Sequence, residues 1–593
     1  MRLLHALPLA LGLALVTPAS TAAWNAGDTL TVIWRPLPNL PALVRPGDTL
    51  TVWANAPAGA VGWSATLRFA GLSVGLAPAG GGWREELARW VLRFRIPAGT
   101  PEEIYDLVLS CDGCGTDTAR HAVKLLPEFR RNFYFAQVTD THLPEHTFSS
   151  SPGFSTSDTS GMADFAAVIE DLNIIHPEFV LHTGDVVNEG ELEDWLEMHE
   201  FGRAQAMISR LEVPLLLVAG NHDIGGWQAT PPPDGTARRA WWRYFGWPFL
   251  LDPPAAEPHH SQDYSFDYGL LHCVGLEAYV NSGGYDSFRP DIWGAQSFTA
   301  EQMGWLAADL AAVPPGHAKL LFYHYDFGGT LPDGSPGPSF SQIDPTALGV
   351  EGAIWGHYHA VPEGDLAARP FNLGLQSVIG GRRTFRILRV HDNLVAPGPM
   401  RHSGGGIDSL NLSWSGPNDG TQARLTAVVT NLFPETWEHA RIRFVLADHD
   451  SSFRATGGWV GQTIRSGGIA YAYVDCVIPA EGTRVISVVP VAPAGAGEAV
   501  VRLDAPRPNP FRPAEGALTV RYATSVAGPM RVGVYDPGGR LVATLFSGRA
   551  EAGEHTLAWD GRTDRRLPAG PGLYLILLRA EAGERRQKLA LVR

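Results

Sequence analysis

The alternation of apolar and polar positions changes three times along the chain, and each change marks a predicted domain boundary. Residues 24–128 contain short stretches such as TLTVWA and WSATLRF, in which apolar and polar residues alternate between turns rich in Gly and Pro. A period of two is typical of strands with one buried face. We therefore predict an N-terminal all-β sandwich over residues 24–128.

The pattern between residues 129 and 398 is different, because short apolar strands such as NFYFAQV and PLLLVAG alternate with helical segments. Strands and helices in alternation predict a layered α/β domain over residues 129–398. Two stretches rich in Pro, Gly and Ser, about 144–160 and 226–262, are expected to be surface loops.

Helical patterns disappear after residue 398. RLTAVVTNL and ARIRFVLAD predict strands of a further β-sandwich over residues 399–500. The linker PVAPAGAGEA then precedes a last β-rich module over residues 504–593. The chain is therefore expected to be multidomain, as its 593 residues require.

The first 23 residues, MRLLHALPLALGLALVTPASTAA, place one Arg before an apolar run that ends in small residues. This arrangement is typical of a secretory signal peptide over residues 1–23, cleaved near Ala22 or Ala23. An uncleaved anchor is the alternative, but the apolar run is short for a membrane span. We expect an exported chain, periplasmic, surface-bound or secreted, with no transmembrane span after cleavage.

Charge and cysteine content narrow the function further. The formal net charge of −15 and the lack of a Lys/Arg cluster argue against a nucleic-acid partner. A phosphorylated substrate remains compatible, because bound metal ions can supply the local positive charge. Cys111 and Cys114 form CDGC, for which we favour a local structural disulfide over redox chemistry.

Polar side chains follow the predicted strands of the α/β domain, where such sheets bind their ligands. Glycines beside them, Gly184 and Gly220, allow tight turns there. Carboxylate, imidazole and amide groups suit Mn, Fe or Zn, and they are enough for two ions that share one carboxylate. The candidate residues are Asp140, His142, Asp185, Asn221, His222, Asp223, His324, His357 and His359.

Five motifs in order, DTH, GDVVNEG, GNHD, a strand-ending His and GHYH, resemble the calcineurin-like metallophosphoesterases. The resemblance covers about 130–390 and is closest to the purple-acid-phosphatase-like and secreted members. It implies a β-sandwich flanked by helices, with two divalent or trivalent metal ions (Fe, Mn or Zn) at the sheet edge. One ion would be held by Asp140, His142, Asp185 and His359, and the other by Asp185, Asn221, His324 and His357.

The same resemblance assigns the remaining residues. Asp185 would bridge the two ions, and His222 would contact the phosphate and the leaving group. Asp223 is expected to fix the tautomer of His222. The chain departs from purple acid phosphatases at Asn188, where those enzymes have a tyrosine ligand, so an iron–tyrosinate centre is not expected.

Other histidines are expected to be scaffold or surface residues: His176, His182, His199 and His272. His182 directly precedes TGD, so a supporting role behind the metal ligands stays open for it.

The last module, with PNPF and RVGVYDPGGRLVATL, resembles FlgD-type Ig-like domains and the C-terminal sorting tails of bacterial exported proteins. That resemblance implies an Ig-like fold and a partner in secretion machinery or at the cell surface. The N-terminal sandwich is likewise expected to be Ig-like.

The prediction for the whole chain is an exported two-metal phosphoesterase that hydrolyses a small phosphomonoester or phosphodiester with metal-activated hydroxide. A nucleotidase specificity is one alternative. A surface binding or adhesion module on a degenerate esterase fold is another, although every ligand position is filled.

Overall fold

The computed structural model describes most of the chain outside its first residues. The described ranges are 31–144, 160–193, 199–224, 236–246, 263–277, 279–280, 296–298, 300–326, 343–404, 409–449, 452–491, 501–537, 539–580 and 583–592. The predicted signal peptide and most of the two predicted loops lie outside these ranges. In the described part of the chain, no helix is long and apolar enough to cross a membrane.

Eight strands at the start form one sheet in the order β1-β3-β6-β5-β4-β7-β8-β2. Leu50 and Val52 alternate with more exposed neighbours, as the pattern predicted, and the region is all-β. Cys111 and Cys114 form the expected disulfide where two of the strands meet. The strands are β1 Ile33–Arg35, β2 Ala42–Val44, β3 Thr49–Ala54, β4 Val61–Phe69, β5 Leu72–Arg84, β6 Arg89–Arg95, β7 Ile104–Asp112 and β8 Gly115–Leu125.

The α/β region follows, as predicted, and it contains two five-stranded sheets. Its strands are β9 Asn132–Val138, β10 Val180–His182, β11 Leu215–Leu217, β12 Tyr264–Tyr268, β13 Leu271–Gly275, β14 Tyr279–Val280, β15 Gln296–Ser297, β16 Ala318–Phe322, β17 Gly352–Trp355, β18 Phe371–Gly374, β19 Thr384–His391 and β20 Leu394–His402. Its helices are α1 Ser160–Ile175, α2 Glu200–Ile208, α3 Asn221–Ile224, α4 Thr236–Phe245, α5 Ala300–Ala312 and α6 Pro345–Leu348.

The two sheets place the carboxyl ends of their central strands together. One sheet has the order β11-β10-β9-β19-β20, with β9, β10 and β11 parallel. The other has the order β12-β13-β16-β17-β18, with the last four strands parallel. Gln137 on β9 connects the sheets, because its Nε2 donates to the carbonyl of Trp355 on β17 (3.0 Å).

Helix α4 corrects one prediction, because it lies inside the stretch expected to be a surface loop. Ala237, Ala240, Trp241, Tyr244 and Phe245 are all buried. Their spacing is that of one helical face, so the signal was present in the sequence. The surrounding Pro and Gly residues obscured it, and packing against α2 makes this segment part of the core.

The region after residue 404 is built from strands, as predicted. Gly405–Arg593 forms a second compact unit. The first unit takes in the described residues up to Gly404, apart from Ala70–Leu72 and Asn173–His176, which belong with the second. The strands of Gly405–Arg593 are β21 Leu410–Trp414, β22 Leu425–Asn431, β23 Trp437–Ala447, β24 Ser452–Thr456, β25 Trp459–Ser466, β26 Ile469–Ile478, β27 Thr483–Val491, β28 Val501–Leu503, β29 Leu518–Thr524, β30 Gly528–Tyr535, β31 Leu541–Ala550, β32 Gly553–Trp559, β33 Gly572–Ala580 and β34 Gly583–Leu591.

The last module builds its core from its own strands. Sheets β28-β29-β32 and β31-β30-β33-β34 enclose Val520, Val532, Ile576 and Leu589 among other buried residues. The predicted boundary at residue 398 falls inside β20, and the other domain limits stay predictions.

Candidate active site

The strand ends bring all nine predicted site residues into one connected cluster. Asp140 and His142 follow β9, Asp185 follows β10, His324 follows β16, and α3 begins at Asn221 after β11. The turns that carry them are joined to each other by backbone bonds. Asp140 N donates to the carbonyl of Gly184 (3.0 Å), and Gly356 N to that of His324 (2.9 Å).

One group of donor atoms consists of Asp140, His142 and His359. The Nε2 atoms of His142 and His359 are 3.0 Å apart, and Oδ1 of Asp140 lies 3.8 Å and 3.5 Å from them. Asp140 and His142 are buried, whereas the side chain of His359 is 39% exposed. The group therefore has two buried members and one member that solvent reaches.

A second group consists of Asp185, Asn221, His324 and His357. Nε2 of His324 lies 3.0 Å from Oδ2 of Asp185 and 3.3 Å from Nδ1 of His357. The same Nδ1 atom lies 3.1 Å from Oδ1 of Asn221. His357 thus points Nδ1 into the group, whereas His324 points Nε2.

One oxygen of Asp185 belongs to both groups. Its Oδ2 lies 3.0 Å from Nε2 of His324 and 3.7 Å from Nε2 of His142. Its Oδ1 instead accepts the backbone N–H of His222 (2.9 Å). The carboxylate is thereby oriented with Oδ2 between the two sets of imidazoles.

The spacing and the hydrogen bonds of these donor atoms are those expected of metal ligands. Atoms that bind one ion at about 2.0–2.2 Å lie roughly 3–4 Å apart, which is the spacing observed. Oδ1 of Asp140 is buried with no hydrogen-bond partner among the described residues, a costly arrangement unless a cation balances it. Nδ1 of His324 donates to the carbonyl of Thr183 (2.7 Å), so its Nε2 presents a lone pair.

Backbone strain marks the same residues. Asp140, His142, Asp185 and His357 have φ values of +51°, +38°, +54° and +69°. Residues other than glycine rarely adopt this region, and such strain persists where the surrounding structure enforces it. Each side chain is therefore held in a direction that an ordinary strand or turn would not give it.

Two glycines leave room for the carboxylates. A Cβ on Gly220 would lie 2.2 Å from Oδ1 of Asp185 and 2.5 Å from its backbone nitrogen. A Cβ on Gly356 would lie 1.9 Å from Oγ1 of Thr139, the hydroxyl that donates to Oδ2 of Asp140 (2.7 Å). Any larger residue would displace a candidate ligand.

The carboxylates are ionised in this environment. Burial alone would raise the pKa of Asp140, but its interactions with the nearby imidazoles of His142, His324 and His359 lower it to about 2. Burial likewise opposes ionisation of Asp185, yet the nearby imidazoles of His324 and His222 hold its pKa well below its usual range. Two buried carboxylates among imidazoles form a site for cations.

The orientation of His222 corrects the role predicted for Asp223. Nδ1 of His222 lies 2.6 Å from the backbone carbonyl of Asn188, which can only accept, so Nδ1 carries the proton. Asn188, noted in the sequence for lacking a tyrosine side chain, thus acts through its backbone. The prediction that Asp223 fixes this tautomer is wrong.

Asp223 instead ties two of the site's turns together. Its Oδ1 accepts the backbone N–H groups of Val186 (2.9 Å) and Val187 (3.0 Å), and its Oδ2 accepts that of Gly220 (2.8 Å). Both carboxylate oxygens therefore accept backbone N–H groups of neighbouring turns. Burial and the charge of Asp185 raise the pKa of Asp223 to about 7, against these backbone bonds.

His182 lies behind the candidate metal ligands, the supporting role that the sequence left open for it. Its Nδ1 accepts the N–H of Gly184 (3.2 Å), and its Nε2 lies 3.1 Å from the Thr141 hydroxyl, which donates to the Val186 carbonyl. The ring is fully buried, and burial lowers its pKa to about 3. It therefore stays neutral and holds the turns that carry Asp140 and Asp185.

His272 is a scaffold residue, as expected, and lies between Asp267 and Asp309. His176 and His199 lie outside the described cluster of ligand atoms. Sequence reasoning missed Thr139 and Thr183, whose only signal was their position directly beside a predicted ligand segment.

The fold and the site define a hydrolase of the metal-dependent α/β type, and comparison with known families gives the assignment. Residues 133–361 match the calcineurin-like phosphoesterase family, and residues 511–584 match the FlgD Ig-like domain. The chain therefore contains a calcineurin-like phosphoesterase domain followed by a FlgD Ig-like domain, and it is a metallophosphoesterase. Among curated proteins, no sequence matches it.

The solved structures to which this chain is similar include phosphatases. A purple acid phosphatase from yellow lupin (Lupinus luteus) seeds is 13% identical over 65% of this chain and 70% of its own, with a TM-score of 0.35. A dimetal phosphatase from Danio rerio is 14% identical over 45% of this chain and 96% of its own, with a TM-score of 0.32. A calcineurin-like phosphoesterase from Bacillus subtilis is 12% identical over 45% and 89%, with a TM-score of 0.28. The assignment rests on the family matches.

Proposed function

We propose that the chain is an exported two-metal phosphoesterase that hydrolyses small phosphomonoesters or phosphodiesters. The observation that carries the two-metal part is the position of Oδ2 of Asp185, within 4 Å of both His324 and His142. A carboxylate oxygen shared by two donor groups is suited to join two ions. A single-ion site would have no use for the second group.

The proposed division of ligands follows the two groups. Asp140, His142 and His359 would hold one ion, and Asn221, His324 and His357 the other, with Asp185 between them. When bound, the ions supply positive charge that neutralises phosphate oxygens and activates water. The backbone N–H of His222 keeps Asp185 in its bridging orientation.

His222 is the proposed proton-handling residue. Because Nδ1 donates to Asn188, the remaining nitrogen, Nε2, is the one that can act on the phosphate or the leaving oxygen. The ring centroid lies 4.6 Å from that of His142, so His222 borders the ligand cluster. From this position its imidazolium form, which carries a second proton on Nε2, would stabilise charge on the phosphoryl group or give that proton to the leaving oxygen and become neutral.

The export part of the proposal is supported by the pattern of residues 1–23 and by the FlgD Ig-like domain. We assign that domain a role in sorting or surface attachment, with secretion machinery or the cell surface as its partner. We expect the substrate to be small and phosphorylated, with no nucleic-acid partner, since the chain carries a net charge of −15.

Metal analysis of the wild type and of Asp185→Ala tests the two-metal site. The wild type should contain two ions per chain and hydrolyse mono- or diester substrates. Asp185→Ala should lose at least about 10³-fold in kcat, because removal of the shared oxygen disturbs both sites. Asp344→Ala, at the exposed N-cap of α6, is the control and should retain both ions. One ion in the fully loaded wild type, or an active Asp185→Ala variant, would contradict the proposal.

A further inference from the structure

One ligand ring, that of His357, packs against two tyrosine rings that also contact each other. Its centroid is 4.8 Å from that of Tyr325 and 5.0 Å from that of Tyr358. The two tyrosine rings are 5.5 Å apart, and the hydroxyl of Tyr358 donates to that of Tyr325 over 2.7 Å. Tyr325 is almost fully buried, with 3% exposure. The imidazole and the two tyrosines therefore form one packed cluster of three rings, in which the tyrosines are joined by their own hydrogen bond.

His357 needs such support because its ring is oriented differently from that of His324. The His324 ring is fixed by the bond from Nδ1 to the Thr183 carbonyl. In the described part of the chain, hydrogen bonds of the His357 ring involve only Nδ1, the atom that faces Asn221 and His324. The backbone of His357 is also strained, at φ +69°. Its direction must therefore come from packing.

We propose that Tyr325 and Tyr358 are positioning residues that hold His357 in place as a metal ligand. This inference rests on the proposed two-metal function. Tyr325 follows the ligand His324 on the exit of β16, and Tyr358 follows His357 on the exit of β17. Their hydroxyl bond spans the two exits and sets the separation of the imidazoles, 3.3 Å between Nε2 of His324 and Nδ1 of His357.

The tyrosine pair is itself braced by three residues on neighbouring strands. The Trp355 ring lies perpendicular to that of Tyr358 at 6.0 Å, and its Nε1 donates to Oδ1 of Asn372 (2.7 Å). Nδ2 of Asn372 donates to Oδ1 of Asp326 (3.0 Å), the residue after Tyr325. This polar chain joins the exits of β16 and β17 to strand β18, so the tyrosines lie against a hydrogen-bonded frame.

The test measures the two stepwise Mn²⁺ dissociation constants of the full chain by chelator competition. Tyr358→Phe and Tyr325→Phe keep both rings but remove the hydroxyl bond. Each should weaken one of the two constants about tenfold and leave the other within about twofold, because only one ion would use His357. The double variant should lose no more than either single variant, since both break the same bond. Tyr358→Leu, which also removes the ring, should weaken the same constant further.

Tyr105→Phe provides the matched control, because the Tyr105 hydroxyl also makes one hydrogen bond, to the Pro101 carbonyl (2.9 Å), in the N-terminal sheet. Both of its metal constants should equal those of the wild type. The inference is overturned if the Phe variants bind both ions as the wild type does, or if both constants weaken equally. In either case a wild type that binds two ions and hydrolyses phosphate esters leaves the proposed function intact. A wild type with a single ion would instead contradict the function itself.

Discussion

At the scale of single residues, the orientation of His222 is set by a backbone atom. The Asn188 carbonyl accepts a hydrogen bond from Nδ1–H of His222. This bond uses the backbone of residue 188 and does not depend on its side chain. The neighbouring carboxylate, Asp223, accepts three backbone N–H groups, from Val186, Val187 and Gly220. Sequence proximity between His222 and Asp223 therefore indicated a partnership that the local geometry does not allow.

His222→Ala should harm substrates with poor leaving groups more than activated aryl esters. A general acid matters most when the departing alkoxide is strongly basic, so we expect losses of about 10²- to 10⁴-fold in kcat for alkyl esters and much smaller losses for aryl esters. Metal content should remain at the wild-type level, which also tests whether His222 is a ligand. Equal losses on both substrate types would leave His222 with an electrostatic or positioning role only.

At the scale of elements, one histidine joins two strands and a helix outside the metal site. Nδ1 of His272 on β13 lies 2.8 Å from Oδ1 of Asp267 on β12, and its Nε2 lies 2.9 Å from Oδ2 of Asp309 on α5. Burial opposes protonation, but the two carboxylates outweigh it and raise the pKa of His272 to about 9. The imidazolium therefore links the three elements at neutral pH.

His272→Gln should destabilise the chain more at pH 6 than at pH 10. A folded pKa of about 9, above the ordinary value near 6.5, gives stability that is complete below about pH 6.5 and is lost as the pH rises through about 9. We expect a loss of about 1–2 kcal/mol at pH 6, limited because Asp267 is largely exposed. Calorimetry at the two pH values measures it. His317→Gln is the control, since the hydrogen bond of that half-buried ring is to the nearby Pro314 carbonyl, with no carboxylate involved in it. An equal effect at both pH values would contradict the expectation.

At the scale of the whole molecule, the last module and the active site use separate sets of residues. Every site residue precedes Gly404, whereas the core of the last module is drawn from residues beyond 500. A domain with its own core commonly folds by itself and tolerates removal.

A chain that ends at residue 500 should therefore stay folded and keep its metals and its kcat in solution within about twofold. In the native host we expect it to accumulate before its final location, in the periplasm and not at the surface or in the medium. Activity and metal measurements on the purified truncated chain check the first expectation, and cell fractionation checks the location. A folded, metal-loaded but inactive truncated chain would show that the tail belongs to the active-site architecture and would remove the main support for sorting.

The sequence by itself indicated the order of all-β and α/β regions, strands such as β9, and the nine candidate site residues that the fold brings together. Strands such as β9 were predicted because burial on a pleated surface imposes a local pattern. Asp140 and His359 were predicted because ligands of α/β sheets lie just beyond strand ends, a rule that needs no knowledge of distances. Helix α4 was missed because its apolar face lies within Pro- and Gly-rich flanks.

Only the tertiary structure decided which atoms of those residues face each other. The shared oxygen of Asp185, the Asn188 carbonyl bound to His222 and the tyrosines around His357 all depend on contacts between turns far apart in the chain. Such contacts are set by strained backbone angles and by close packing of the strand exits, which leave no periodic pattern in the sequence. The residue types of the site are therefore visible in short sequence motifs, whereas the arrangement of their atoms depends on the folded chain.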